Sequence, residues 1–315
     1  MAASAGPVHA VAGHGLAAAT ARSARAPARR EAVEAAALVA PFVIAYLVLF
    51  VYPILLLVRL SFTNAPLIGP GTWVGWSNYI RLTRDYLFQE SVYHTAYFVV
   101  LTVVPTTLLA LGIALMVIRL TGWLQSLVLA CFFVPYILPV TVVTLIWQWV
   151  VDLQFGIAQP LLRLFGGSGI AVFKNPAWAM PMVAFVTIWW TNGFNVLLFI
   201  AGLRNIPPDY YEAASLDGAG RLAQFRHITW PLIWPVTALV LTIQLILQLK
   251  IFDQVYLLTQ GGPFNSTYVM LLYIYKQAFV LNHGGYGAAA SLLLFVIIAV
   301  LSVLQYQVLR TREAP

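Results

Sequence analysis

Apolar residues fall in six long runs, at about 35–60, 92–118, 124–151, 179–203, 232–258 and 287–309, separated by shorter polar segments. A bilayer core roughly 30 Å thick is crossed by about 20 helical residues, so each run is long enough to span it. In lipid the backbone has no water to bond, and a segment must satisfy its own N–H and C=O groups. The runs are therefore expected to be helices, and the fold class is an all-α polytopic membrane protein with six transmembrane helices. Pro41, Pro53, Pro105, Pro135 and Pro139 lie inside these runs and should kink them.

Composition agrees. The 315 residues are 61% hydrophobic and only 9% charged, against about 25% charged in soluble domains. A water-soluble fold is excluded. The net charge of +7 does not point to nucleic acid, because the arginines flank spans and form no basic stripe with interleaved aromatics. Cys131 is the single cysteine; no intrachain disulfide is possible, and its place in an apolar run assigns it to packing.

Orientation follows from the bias of basic residues toward the cytoplasm. With the N-terminus inside, the inner segments hold Arg22, Arg25, Arg29, Arg30, Arg119, Arg204, Arg221, Arg226, Arg310 and Arg312. The outer segments hold Arg81, Arg84, Arg163, Lys174 and Lys276, with Arg59 near the end of span one. Both termini are thus expected in the cytoplasm. Residues 1–34, rich in Ala and Gly, are read as a mobile cytoplasmic tail, 35–310 as the membrane domain and 311–315 as a cytoplasmic C-terminal tail. A signal peptide is the rival for the N-terminus, but the run beginning at Ala35 exceeds an h-region of about 7–15 residues and lacks a clear cleavage site.

One polar island, 204–231, interrupts the apolar pattern between spans four and five. Pro207-Pro208-Asp209 ends one helix and suits the first turn of another. Tyr210 to Leu216 is built of good helix formers. Gly218 and Gly220 permit a sharp turn, Arg221 to Ile228 reads as a second short helix, and Pro231 leads into span five. A short helix pair of this kind is a compact knob able to transmit a rigid push. The other possibility is an amphipathic pair that merely rests on lipid.

The order within this island is Glu212-Ala213-Ala214, three residues, Gly218, nine residues, Ile228, one residue, then Trp230-Pro231. It resembles the EAA loop of permease subunits of bacterial ATP-binding-cassette (ABC) importers, with Trp230 where leucine is usual. Further segments share the resemblance: Pro53 with Ser61-Phe62-Thr63, Val74-Gly75-Trp76-Ser77-Asn78-Tyr79, and Phe252 to Pro263 followed by Ser266-Thr267. Together they look like the maltose and glycerol-phosphate permease group, which imports carbohydrates and related polyols.

The resemblance implies that Glu212, Ala213, Ala214, Asp217, Gly218, Phe225, Ile228 and Pro231 form the contact with an ATPase. Glu212 would supply a polar contact, Gly218 the turn and Phe225 the apolar docking face. It also implies a second homologous permease subunit, two copies of an ABC ATPase, an extracytoplasmic sugar-binding protein and a bacterial inner-membrane location. No cofactor is expected in this chain. It carries no Gly-x-x-x-x-Gly-Lys-Ser/Thr loop, so ATP and Mg²⁺ would be held by the partner, and the chain is expected to be a transport subunit and not an enzyme.

Polar groups inside spans are costly and face a bundle interior or a water-filled path. Asn192, Phe194 and Asn195 in span four, with Gln244, Gln248 and Phe252 in span five, are the pathway candidates. Gln244, Gln248 and Phe252 recur every four residues, on one expected helical stripe. Amides beside an aromatic suit a sugar, whose hydroxyls need hydrogen-bond partners and whose C–H face packs on a ring. Each amide can equally serve as glue between helices, worth around 1 kcal/mol. Lys250 and Asp253, three apart, are expected to neutralise one another.

The alternative is an ion-coupled secondary transporter using Lys250 and Asp253, although the paired internal repeats usual in such folds are not evident. The five histidines show no metal-ligand spacing, so no metal site is expected. A membrane-embedded transferase would need clustered carboxylates or histidines; Asp209, Glu212 and Asp217 share one loop, which the helix-pair pattern explains better.

Overall fold

A computed structural model describes residues 34–164 and 171–310. The tails expected at 1–34 and 311–315 lie outside the described residues, except for Glu34. Contacts divide the chain into two units, Met1–Arg59 and Leu60–Pro315. The first is described by helix α1, Glu34–Ser61, whose apolar side chains from Leu38 to Leu56 are largely exposed, as suits a lipid-facing helix. A π-helical turn at Leu47–Val51 immediately precedes Pro53, whose missing N–H interrupts the ordinary helical ladder.

The second unit is a bundle of helices. α2 is Ser77–Arg84, α3 Tyr86–Val117, α4 Gly122–Ile137, α5 Val140–Val150 and α6 Ala158–Leu164. They are followed by α7 Pro176–Arg204, α8 Pro208–Leu216, α9 Arg221–Leu249, α10 Asp253–Leu258, α11 Met270–Tyr275 and α12 Gly284–Arg310. Among the described residues five helices are long and apolar enough to cross a membrane, and the α4–α5 pair makes a sixth if it is taken as one bent span.

Two expected spans differ from their sequence outlines. The run at 124–151 is broken: α4 and α5 meet at 105°. The reason is Pro139, which forces the residue before it out of the helical region; Leu138 is extended, at φ −69°, ψ 139°. The Leu138 carbonyl, freed from the helix, accepts a hydrogen bond from Trp190 Nε1 of α7 at 3.1 Å. Pro139 therefore makes a corner, not a gentle kink. The run at 232–258 is also shifted. Helix α9 begins at Arg221 and ends at Leu249, and Asp253–Leu258 forms a separate short helix.

α3, α7 and α9 form the centre. α3 packs most extensively on α7 and then on α9. α7 also approaches α4 and α9 closely because small residues face them: Gly193 lies so near the backbone of α4 that a Cβ would stand 2.1 Å from the Phe132 carbonyl oxygen, and at Gly202 it would stand 2.6 Å from Val236 of α9. Small residues at such positions let membrane helices approach through their backbones.

Buried apolar side chains form two clusters. One gathers Phe98, Val183, Val186, Val255, Tyr273 and Leu294. The other gathers Ala110, Ala114, Val196, Phe199, Leu203 and Ile233. On α3, α7 and α9 alike, the segment between the clusters carries buried polar side chains: Thr102 and Thr106, then Thr187, Asn192 and Asn195, then Gln244 and Gln248. A polar layer thus crosses the apolar interior.

At the first cluster the ends of three helices are tied together. Asp85 caps α3 by accepting from the Phe88 N–H at 3.1 Å, and its other oxygen accepts from Tyr273 at 2.7 Å and Tyr286 at 3.0 Å. Burial raises this carboxyl, but the hydrogen bonds outweigh it and hold the pKa below its ordinary 3.8. A depressed carboxylate contributes stability at neutral pH that is lost as pH falls through the folded-state pKa. Nearby, Asn78 Nδ2 donates to the Ser61 and Thr63 carbonyls, both at 2.8 Å, and Ser61 Oγ bonds the Tyr79 hydroxyl at 2.7 Å. These bonds explain the Trp76-Ser77-Asn78-Tyr79 segment as a clasp on the turn at 61–63.

Gly193→Ala should lower stability by about 1–3 kcal/mol, the usual penalty for overpacking, because neither backbone at that contact can yield as a side chain would. Thermal unfolding in mild detergent measures it; an unchanged midpoint would show that α4 and α7 separate easily.

Candidate functional site

Two groups of side chains matter, one in the polar layer and one in the knob. In the layer, Gln244 Nε2 donates to Asn195 Oδ1 at 2.9 Å and Gln248 Nε2 donates to Gln244 Oε1 at 2.9 Å. Asn195 Nδ2 donates to the Thr191 carbonyl at 3.4 Å. All three amides are 0–3% exposed, and Asn192 is 5% exposed. Among the described residues, Asn192 Oδ1 and Thr106 Oγ1 are buried with no hydrogen-bond partner. The α7 and α9 amides thus bond one another across the helix contact, while one amide oxygen and one hydroxyl remain available.

The aromatic candidates lie elsewhere. Phe194 stacks on Tyr136 of α4, with ring centroids 5.3 Å apart. Phe252 does not continue the glutamine stripe: α9 ends at Leu249, and Phe252 has φ −146°, ψ −59°. It stacks on Tyr256 and meets Tyr275, each at 5.3 Å. The expected stripe of two amides and an aromatic is therefore only its amide half, since a four-residue spacing shares a face only while the helix lasts. None of the six candidates lines the cleft of about 750 Å³ formed by Gln148, Asp152, Lys174, Thr259 and Gln260.

Lys250 and Asp253 are not the expected neutral pair. Both are exposed at the break between α9 and α10. No ion pair or side-chain hydrogen bond joins them.

The knob takes its shape from backbone chemistry. Gly218 has φ +79°, which a side chain would strain. It ends α8 by donating to the Ser215 carbonyl at 3.1 Å, and the Ala219 N–H reaches the Ala214 carbonyl at 2.9 Å. Together these bonds make a Schellman C-cap. Gln224 Nε2 donates to Ser215 Oγ at 2.9 Å and to the Ala219 carbonyl at 3.2 Å, and the Tyr211 hydroxyl bonds Thr229 Oγ1 at 2.9 Å. The two arms are stapled at both ends.

Glu212, Ala213, Asp217, Gly218 and Pro231 are exposed, Ala214, Phe225 and Ile228 half-buried. Phe225 packs near Trp230, with centroids 6.3 Å apart. Leu216, at the tip, is 90% exposed. His227 Nδ1 lies 3.0 Å from the Ala223 carbonyl, one turn back along the same arm. The second arm is not a separate short helix as expected: it passes through a π turn at Phe225–Thr229 straight into the span. As in α1, the π turn precedes a proline, here Pro231.

Sequence reasoning missed Tyr136, Thr102 and Thr106. The two threonines were recoverable in part, because a four-residue spacing places them on one face of α3. Nothing local marks Tyr136; its partner Phe194 is set by the meeting of α4 and α7.

Residues 106–313 match the family described as the binding-protein-dependent transport system inner membrane component. The chain belongs to this family. It is a multi-pass permease component of an ABC importer and not an enzyme, and an ion-coupled transporter finds no support. Its relatives include the sulfoquinovosyl glycerol transport system permease protein SmoG of Agrobacterium fabrum, 32% identical across 88% of this chain and 90% of that protein. The arabinooligosaccharides transport system permease protein AraP of Bacillus subtilis is 32% identical across 84% and 85%. The trehalose/maltose transport system permease protein MalF of Thermococcus litoralis is 30% identical across 90% and 96%. The same fold occurs in a bacterial ABC transporter for import of the acidic polysaccharide alginate, at a TM-score of 0.80 and 22% identity over 90% of this chain and 96% of that one.

Gln244→Leu removes both hydrogen bonds of the central amide and leaves Asn195 and Gln248 without those partners. The expected loss of stability is about 1–2 kcal/mol, two interhelical bonds of the usual membrane strength. Unfolding in bicelles measures it, and a gain in stability would show that the layer is kept for a purpose other than packing.

Proposed function

We propose that this permease forms half of the translocation pathway for a sugar or related polyol and is driven by ATP hydrolysed on a partner. The relatives named for sulfoquinovosyl glycerol, arabinooligosaccharides and trehalose or maltose support the substrate class. A second permease subunit of the same family would supply the other half. That division fits the burial of the amides within this chain: a path built between two subunits needs only a few groups from each. Asn192, whose Oδ1 is unbonded, is the polar candidate best able to meet a hydroxyl. Phe194 and Phe252 offer ring faces, and Asn195, Gln244 and Gln248 hold the layer from which Asn192 projects. An extracytoplasmic binding protein would deliver the sugar; an alginate importer of the same fold is known in complex with a periplasmic protein bound to an alginate pentasaccharide.

The observation that carries the coupling half of the proposal is the stapled knob continuous with α9. Two ABC ATPases, holding ATP and Mg²⁺, would receive α8 and its turn, with Glu212, Ala213, Ala214, Asp217 and Gly218 at the contact and Phe225, Ile228 and Pro231 bracing it. Closure of the ATPase pair would pull the knob, α9 would carry the movement to the amide layer, and the bundle would expose its site alternately to each side. Both termini lie in the cytoplasm on this reading, and the membrane is the bacterial inner membrane.

Gly218→Pro should abolish ATP-driven sugar uptake while the protein still inserts, since proline cannot take φ +79° and removes the N–H that bonds Ser215. Normal uptake in membrane vesicles would contradict the coupling role. Gln248→Leu should alter the uptake rate or apparent affinity without loss of assembly; unchanged kinetics would confine Gln248 to structure.

A further inference from the structure

Behind the knob lies a cleft of about 810 Å³, walled by the end of α3, the end of α7, α8 and the first turns of α9. Its floor is apolar, from Leu115, Ile118, Leu203 and Phe225, and two cations, Arg119 and Arg221, stand on its rim. Both arginines are exposed, and among the described residues neither guanidinium has a carboxylate within salt-bridge reach. Arg221 also occupies the first position of α9, where the helix dipole disfavours a cation, so local helix stability does not explain it.

Two further features give the cleft a direction. Leu222, on its wall, is 81% exposed. One turn up α3 from Leu115, a side chain at Gly112 would meet nothing within 4 Å. The arginines therefore stand at the end of an apolar face of α3 that has open space at Gly112 and on which Leu108, Leu109 and Met116 are exposed. Cations at the end of a membrane helix, beside an apolar cleft and an open apolar helix face, match an amphiphile with an anionic head and a hydrocarbon tail.

We propose that this cleft binds an anionic phospholipid. The phosphate sits between Arg119 and Arg221, the Tyr211 and Thr229 hydroxyls and the Gln224 amide line the head-group space, and an acyl chain lies past Leu115 and Gly112. The tip residues Leu216, Asp217 and Gly218 do not line the cleft, so the lipid and a protein docked on the tip use different faces of the knob. A lipid there would brace the knob from the membrane side.

The test uses the full chain in its native membrane assembly, transferred to nanodiscs of phosphatidylethanolamine with a minority of phosphatidylglycerol, and quantifies the lipid retained on purification. Wild type should retain phosphatidylglycerol selectively, and retention should fall as salt rises from about 0.1 M to about 1 M. R119Q/R221Q should weaken retention roughly thirty-fold, the effect of two basic residues at an anionic surface, while R119K/R221K keeps most of it. Equal retention in wild type and the glutamine pair overturns the proposal. So does full displacement by inorganic phosphate, which would mean an anion site indifferent to the lipid tail, or loss of a co-purifying subunit with lipid unchanged, which would assign the arginines to a protein contact. If the glutamine pair does not fold, the salt series on wild type decides: selective retention that ignores salt contradicts an arginine–phosphate site.

Discussion

From Arg221 to Leu249 the backbone is helical without a break, and 29 residues at 1.5 Å per residue make a rod of about 43 Å. One end of the rod is the second arm of the polar knob. The other holds Gln244 and Gln248 in the buried polar layer. A displacement of the knob cannot be absorbed by a loop, because no loop lies between it and the bundle interior. Gly202 adds to this constraint: α7 and α9 touch so closely there that neither slides without moving the other's side chains. The π turn at Phe225–Thr229 and the interior Pro235 are irregularities along the rod, but neither ends the helix. The π turn lets the helix pass Pro231 while remaining a helix, which keeps the mechanical connection intact.

The polar layer sits where such a rod would have most effect. An apolar bundle held by one continuous core would resist rearrangement, since its side chains interdigitate throughout. Here the apolar interior is divided into two clusters, with threonines and amides between them. Hydrogen bonds among Asn195, Gln244 and Gln248 can be exchanged for bonds to water or to hydroxyls at modest net cost, which apolar contacts cannot. The layer is thus both adhesive and replaceable, and on the proposed function that combination suits a site that opens and closes.

Much of this was legible in the sequence. Apolar runs revealed the spans because membrane helices must be long and apolar whatever they pack against. The Gly218 turn was legible because only a residue without a side chain takes that conformation freely. What failed depended on where helices end. Pro139 was visible, but whether a proline kinks or breaks a span is set by whether a neighbour donates to the freed carbonyl, and Trp190, the donor here, lies far away in the sequence. The stripe through Phe252 and the pairing of Lys250 with Asp253 both assumed that α9 continues. It stops at Leu249, leaving the two charges exposed at the break. Phe194 was marked as a pathway candidate, while its stacking partner Tyr136 belongs to another helix and has no local signature.

The most direct measurement is gentle purification of the tagged chain from its native membranes with mass spectrometry of what accompanies it. The coupled-permease account predicts an ABC ATPase and a second permease subunit in comparable amounts, with the ATPase lost when the knob is disrupted. A folded chain that purifies alone, reproducibly and from every mild detergent tried, would contradict it.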